Sequence, residues 1–194
     1  MKILSISGSP RKGNSEAIIL RLKQIFEKKG IENEIILLRE KNIQRCNGCV
    51  EYCNKNLDCN KKDDMAEIFD KMRNTDGYVF VLPNYFKMPP GIFKNFIDRC
   101  SVFYTAKIDF SKKRAMVIVL GADAIKEIDV CLNSVCDNFC KTLDIAVVSR
   151  KSFQSRSELK GNYNDIFENK LNPNIDKELE KMADNLYKSL EKRN

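Results

Sequence analysis

Cysteine is the residue type around which chemistry gathers in this chain. Cys46-Asn-Gly-Cys49-Val-Glu-Tyr-Cys53-Asn-Lys-Asn-Leu-Asp-Cys59 carries half of the eight cysteines, at spacings x2, x3 and x5. The segment offers almost no apolar residue to bury, whereas a structural free cysteine behaves as a small core hydrophobe. Thiols crowded into a polar loop therefore read as ligands or redox groups, and three cargoes suit them. A [4Fe–4S] cluster takes four thiolates from compact loops. Zinc in an all-cysteine site usually takes two C-x2-C knuckles, and here only Cys46–Cys49 makes one. Reactive or structural thiols without metal are the third reading. Arg45, Lys55, Lys61 and Lys62 would partly offset the negative charge of a thiolate-bound centre.

A second device precedes the thiols. Gly8-Ser9-Pro-Arg11-Lys-Gly13-Asn14-Ser15 lies between a β-rich run and a helical pattern, where free amide N–H groups face an anion and two hydroxyls and a guanidinium add to them. Asn14 stands where G-x4-G-K-[ST] needs lysine, so nucleoside triphosphate hydrolysis is disfavoured, and G-x-G-x-x-G is not matched. A phosphomonoester fits what remains; an ordinary turn with an N-cap is the bland alternative. Further on, Pro83-Asn84-Tyr85-Phe86 ends an apolar run and offers two rings, and Gly121 ends another. With no histidine in the chain, the usual general base and the Ser-His-Asp triad are absent, so the chemistry is expected to be a cofactor's.

Taken together, these turns make the chain resemble the flavodoxin-like NADPH-dependent FMN reductases. The resemblance lies in Gly8-Ser9-Pro10-Arg11-x-x-Asn14-Ser15, in Pro83-x-Tyr85-Phe86 and in Lys94-x-Phe96-x-Asp98-Arg99. The four cysteines and Asp63-Asp64-Met65 narrow it to the iron–sulfur flavoproteins of anaerobic archaea and bacteria. The resemblance implies that Ser9, Arg11, Asn14 and Ser15 hold the FMN phosphate. It implies that Pro83, Asn84, Tyr85 and Phe86 line the isoalloxazine ring, with Gly121 and the adjoining Ala122-Asp123 as a third wall. It further implies that Cys46, Cys49, Cys53 and Cys59 ligate a [4Fe–4S] cluster, and that the protein is a homodimer or a dimer of dimers in which a cluster faces a neighbour's flavin. The family commonly has two residues where three separate Cys49 from Cys53; a loop, or a helical turn with i and i+4 on one face, absorbs the extra one. The expected function is electron transfer between cluster, FMN and a donor or acceptor, protein or small molecule. A cluster-free NAD(P)H-dependent FMN or quinone reductase and a zinc-bearing flavodoxin-like binding module are the alternatives.

These segments need elements to position them. Residues 2 to 7, 34 to 38, 78 to 82, 115 to 120 and 145 to 148 read as strands. Helical spacing marks a helix after Asn14 closed by Gly30, one from Asp64 to Arg73 capped by Asp63, and one after Pro90 burying Phe93, Phe96 and Ile97. Two more run from about Ala124 to Lys141 and from about 175 to 192. Strands alternating with helices predict an α/β fold, a flavodoxin-like, doubly wound, five-stranded parallel sheet with helices on both faces. A single domain over 1–194, with a cysteine-rich loop at 46–62 and a C-terminal helix, is expected. In such sheets ligands bind beyond the carboxyl ends of the strands, which puts the Gly8, Cys46–Cys59, Pro83 and Gly121 segments on one edge. Cys100, Cys131, Cys136 and Cys140 read as core, and Asp98-Arg99 as a helix-end ion pair or an interface support.

Composition narrows the classes. The apolar share is 43% and the charged share 31%, as in globular proteins, and no apolar run reaches the length of a bilayer span. The N-terminus lacks a signal peptide's apolar core, so a cytoplasmic protein that keeps its thiols reduced is expected, with no membrane partner. The net charge of +7 is spread over helix faces beside glutamates, without an aromatic-basic platform, so nucleic acid is not expected as a partner.

Overall fold

Every side chain from Tyr78 to Leu82 is buried, because β3 (Gly77–Pro83) has a strand on each edge and a helical layer on each face. In the computed structural model, which describes residues 1–155, 166–168 and 171–192, five parallel strands lie in the order β2-β1-β3-β4-β5. The others are β1 (Lys2–Ser7), β2 (Glu32–Leu37), β4 (Arg114–Gly121) and β5 (Ala146–Gln154). This is the flavodoxin-like order, with its switch point between β1 and β3.

The two faces of the sheet bury different layers. Val79 and Val81, with Ile3, Met116 and Ile118, meet α1 (Asn14–Lys28) and α7 (Ile175–Glu191). Tyr78, Phe80 and Leu82 point the other way, toward α3 (Met65–Arg73), α4 (Gly91–Arg99), α5 (Ser101–Thr105) and α6 (Ile125–Asn133). The strand's period of two thus assigns alternate residues to alternate layers. Tyr78 is fully buried, and its hydroxyl is satisfied by donating to the Met72 carbonyl at 2.6 Å. A short helix, α2 (Val50–Asn56), lies inside the cysteine segment. No helix among the described residues is long and apolar enough to cross a membrane.

Four boundaries differ from the sequence reading. β2 starts at Glu32, and Leu38 already opens a single 3-10 turn. β5 runs on to Gln154 because an edge strand needs no continuous apolar run: Arg150 and Lys151 are exposed while Ser152 and Phe153 are buried. A shift in pairing between Ala115 and Met116 accommodates the extra residue Val148. The helix expected to reach Lys141 stops at Asn133 and continues as a π-helical stretch, Ser134–Cys140. Within it Phe139 reaches the ring cluster of Phe80, Phe93 and Phe96 at 5.6 to 6.4 Å.

Candidate functional site at the carboxyl edge of the sheet

The Gly8–Ser15 loop leaves β1 in contact with both β3 and α4. Gly8 N–H donates to the Val81 carbonyl at 2.9 Å, extending the sheet by one residue. A Cβ on Gly8 would stand 2.6 Å from Phe93 Cδ2, so glycine is what lets the loop touch α4. The Ser9 hydroxyl donates to the Arg11 carbonyl at 2.7 Å and accepts from Arg11 N–H at 3.3 Å, which fixes the turn from within. Asn14 reaches beyond β5: its amide donates to Ser155 Oγ at 2.6 Å, and its Oδ1 accepts Ile166 N–H at 3.0 Å. Ser15 is buried in the first turn of α1, where N–H groups lack intrahelical acceptors and the helix dipole is positive. Ser9, Arg11, Asn14 and Ser15 therefore lie on one loop and the helix start it leads into, with Ser9 and Asn14 engaged as braces. Glu16 would place negative charge here, and Arg39, at 2.9 Å, offsets it; Arg39 was not singled out in the sequence, because nothing local marks it.

Beyond β3, Tyr85 and Met88 exchange N–H···O bonds at 3.0 Å around Phe86 and Lys87, whose φ values are 51° and 65°. Such a two-residue turn usually carries Asn-Gly, because both central residues must be left-handed. The turn holds Phe86 99% exposed and Tyr85 38% exposed, and Lys87 ties it to Glu127 of α6 at 2.5 Å. Asn84 is anchored between strands: its N–H donates to Leu120 O at 2.6 Å and its amide to Asp123 Oδ2 at 2.8 Å. Its Oδ1 is buried with no partner. An orphaned acceptor at this point fits a ligand that brings an N–H donor, as the pyrimidine edge of a flavin does. Gly121 adjoins it, since a Cβ there would lie 3.1 Å from both Asn84 Cβ and Ile128 Cγ1. Pro83, Asn84, Tyr85, Phe86 and Gly121 thus share one strand-end surface, and the residues present fit FMN.

In the cysteine segment, Cys53 N–H donates to the Cys49 carbonyl at 3.2 Å at the start of α2. The x3 spacing is therefore absorbed by a helical turn. Gly48, at φ 68°, donates its N–H to Cys46 Sγ at 3.4 Å. Cys53 is buried while Cys46, Cys49 and Cys59 are half-buried. Burial, and then the neighbouring Cys49, Cys59 and Cys46 thiols, push the Cys53 thiol up from its ordinary value, so each of the other three is felt at Cys53. Among the described residues no three such side chains meet tightly enough to hold a single ion. A cluster presents several irons to its four ligands and does not require that convergence. The donor set and its gathering around Cys53 fit such a group.

The segment is closed by a neck. Asn42 and Asp64 exchange bonds at 2.7 and 3.1 Å, and Gln44 N–H donates to Asp63 Oδ2 at 2.9 Å. Arg99 donates to the Gln44 carbonyl at 3.0 Å and grips both oxygens of Asp63 at 2.5 and 3.0 Å. Helix α3 starts one residue later than read from sequence, with Asp64 at the N-cap position, and Asp63 just before it accepts Met65 N–H at 3.1 Å. The expected Asp98-Arg99 pair is corrected: Asp98 pairs with Lys94 one turn back at 2.5 Å, because Arg99 faces inward and Asp98 outward. Burial opposes ionisation of Asp63, but the Arg99 guanidinium and the Gln44 and Met65 N–H groups hold its carboxyl below the usual range. The neck also revises the placement of the thiols. Arg99 ends α4, about 13 Å along it from the Gly91 end that follows the hairpin, and α2 packs on α5 beyond. The chain leaves β2 at the carboxyl edge, and by Gln44, before the first cysteine, it has been carried along the helical layer to the far end of α4.

The remaining cysteines are core, as expected. Burial pushes the Cys131 thiol up to about 12 and Cys136 to about 11, and Cys100 and Cys140 well above their ordinary value, so all four are inert as nucleophiles.

Comparison with known proteins finds relatives in sequence and in fold. An iron–sulfur flavoprotein of Archaeoglobus fulgidus is 34% identical over 124 residues, 63% of this chain and 63% of its own length. An iron–sulfur flavoprotein of Methanosarcina thermophila is 37% identical over 122 residues, 62% of this chain and 63% of its own. The chain thus spans less than two thirds of the length of these two relatives. Among solved structures, an FMN-dependent NADH-azoreductase from Bacillus anthracis in complex with FMN superposes with a TM-score of 0.69 at 17% identity, covering 96% of this chain and 99% of that one, and so shares the fold. Residues 1–157 match the family described as NADPH-dependent FMN reductase, and this chain belongs to that family.

Proposed function

We propose that this chain is an FMN-dependent oxidoreductase whose Cys46–Cys59 segment carries a [4Fe–4S] cluster. The observation that carries the reading is the gathering of the four thiols around Cys53, in a chain that also presents a phosphate loop and two exposed rings at the carboxyl edge. Bound FMN supplies the link between one- and two-electron chemistry, and a [4Fe–4S] cluster supplies one-electron transfer. Arg11, Ser15 and the first-turn amides of α1 hold the phosphate, with Ser9 and Asn14 keeping the loop in shape. Tyr85 and Phe86 give the ring flat apolar surface, and Asn84 Oδ1 accepts from its polar edge. Cys46, Cys49, Cys53 and Cys59 are the metal ligands. No side chain is needed as a general base. The iron–sulfur flavoprotein relatives support the cluster.

The electron partner is a small molecule or a protein, and the working unit a homodimer or dimer of dimers. The displacement of the thiols along α4 favours transfer to the flavin of a second copy. The exposed Val50, Tyr52 and Leu57 on and beside α2, with Tyr104 on α5, give an apolar surface for that contact.

Anaerobic purification followed by an absorption spectrum and iron, sulfide, zinc and flavin analysis tests the proposal. The expected result is FMN together with iron and sulfide in equal amounts. Cys53→Ser should abolish iron uptake and leave FMN bound. Flavin without iron would reduce the reading to a cluster-free reductase, and a colourless protein would remove it.

A further inference from the structure

Among the described ion pairs, Arg99–Asp63 alone has both side chains shut from solvent, at 1% and 0% exposure. Such a pair is costly to desolvate and adds little net stability, so its retention calls for another reason. Asp63 is fully used, accepting from Arg99, Gln44 and Met65. Arg99 is not: Nη1 and Nη2 serve Gln44 and Asp63, while the third guanidinium nitrogen, Nε, is buried with its N–H unfilled. A buried charged donor left unfilled costs on the order of 1–3 kcal/mol. The Cys59 thiol stands beside this guanidinium and packs on the same core cluster.

We propose that Arg99 is a positioning residue for the metal centre: its unfilled N–H donates to the Cys59 sulfur once the segment is loaded, fixing the fourth ligand and raising the cluster's reduction potential. This rests on the cluster reading above. A neutral thiol is a weak acceptor, which explains the orphaned donor, whereas a metal-bound thiolate is a charged one. Hydrogen bonds to cluster sulfurs favour the reduced, more negative state. Asp63 and the Gln44 carbonyl hold the guanidinium in place, as groups behind metal ligands commonly do.

The test uses the anaerobically purified full chain as wild type, Arg99→Lys, and the double variant Asp63→Asn/Arg99→Gln. Arg99→Lys keeps the charge that Asp63 requires; the double variant removes both charges together, so neither strands a buried ion. Circular dichroism and FMN content establish folding. The readouts are the cluster's midpoint potential, from a redox titration followed by electron paramagnetic resonance, and the rate of iron loss to EDTA. Both variants should keep FMN and lose iron about tenfold faster or more. Arg99→Lys should have a lower midpoint potential than wild type. An unchanged potential in Arg99→Lys would show a purely structural clasp and overturn the inference alone. A wild-type protein that binds flavin but no iron would overturn the cluster reading and the inference together.

Discussion

Three donors keep Asp63 ionised: the Arg99 guanidinium and the N–H groups of Gln44 and Met65. Its folded pKa lies below its unfolded value of about 3.9. As pH falls below about 4 the unfolded chain therefore takes up this proton first, and the stability Asp63 contributes, present in full above that value, is lost as pH drops through the folded pKa. Urea titrations between pH 6 and 3 should show a steeper loss of stability in the wild type than in Asp63→Asn/Arg99→Gln; parallel curves would remove Asp63 as the acid-sensitive group. Glu67, held at about 2 by Lys71 and Lys41, is half exposed and titrates alike in both proteins. Replacing Asp63 alone leaves Arg99 buried and unpaired, and should cost about 3–5 kcal/mol. The pair was not legible as a pair. Thirty-odd residues separate the partners, and the nearer Asp98 drew the assignment. The signal that could have found it is position: Arg99 lies three residues past Phe96 and six past Phe93, on the buried stripe of α4.

At the scale of elements, legibility follows how much each one must bury. β3 and β4 announce themselves as continuous apolar runs because both faces are covered, while β5, an edge strand with charged outward positions, looks finished at Val148. α2 has one buried residue, Cys53, and so no apolar period to read; only the x3 spacing hinted at a turn. The hairpin after β3 is visible as a special turn, yet its type is not, because Phe86 and Lys87 are poor choices for left-handed backbone. That mismatch is itself testable. Each non-glycine residue held there costs on the order of 1 kcal/mol or more. Phe86→Asn with Lys87→Gly should therefore stabilise the chain by about 1–2 kcal/mol in urea unfolding, since the exposed Lys87–Glu127 pair it removes contributes little. The same double variant should bind FMN more weakly, having lost a ring wall. Stabilisation with unchanged flavin affinity would show that Phe86 serves something other than the flavin.

For the whole molecule, alternation of strand and helix predicts the layers, but not the strand order, which depends on which crossovers pass over which face. Observed order β2-β1-β3-β4-β5 puts the switch point between β1 and β3, and both flavin-site turns, after Ser7 and after Pro83, leave from those two strands. In the proposed site the phosphate end of that crevice would depend on backbone amides and the dipole of α1, and the ring end on Asn84, Tyr85 and Phe86. A ligand bound only to the native state stabilises it by mass action, about 2.7 kcal/mol at a hundredfold excess over its dissociation constant. For a chain of this size that corresponds to a rise in Tm of about 5–10 °C. FMN added to flavin-free protein should produce a concentration-dependent rise of this order. Riboflavin, with the same ring and no phosphate, should need far higher concentrations to match it. Equal shifts for the two would mean that the Gly8–Ser15 loop contributes nothing to recognition and that the ring turn alone defines the site.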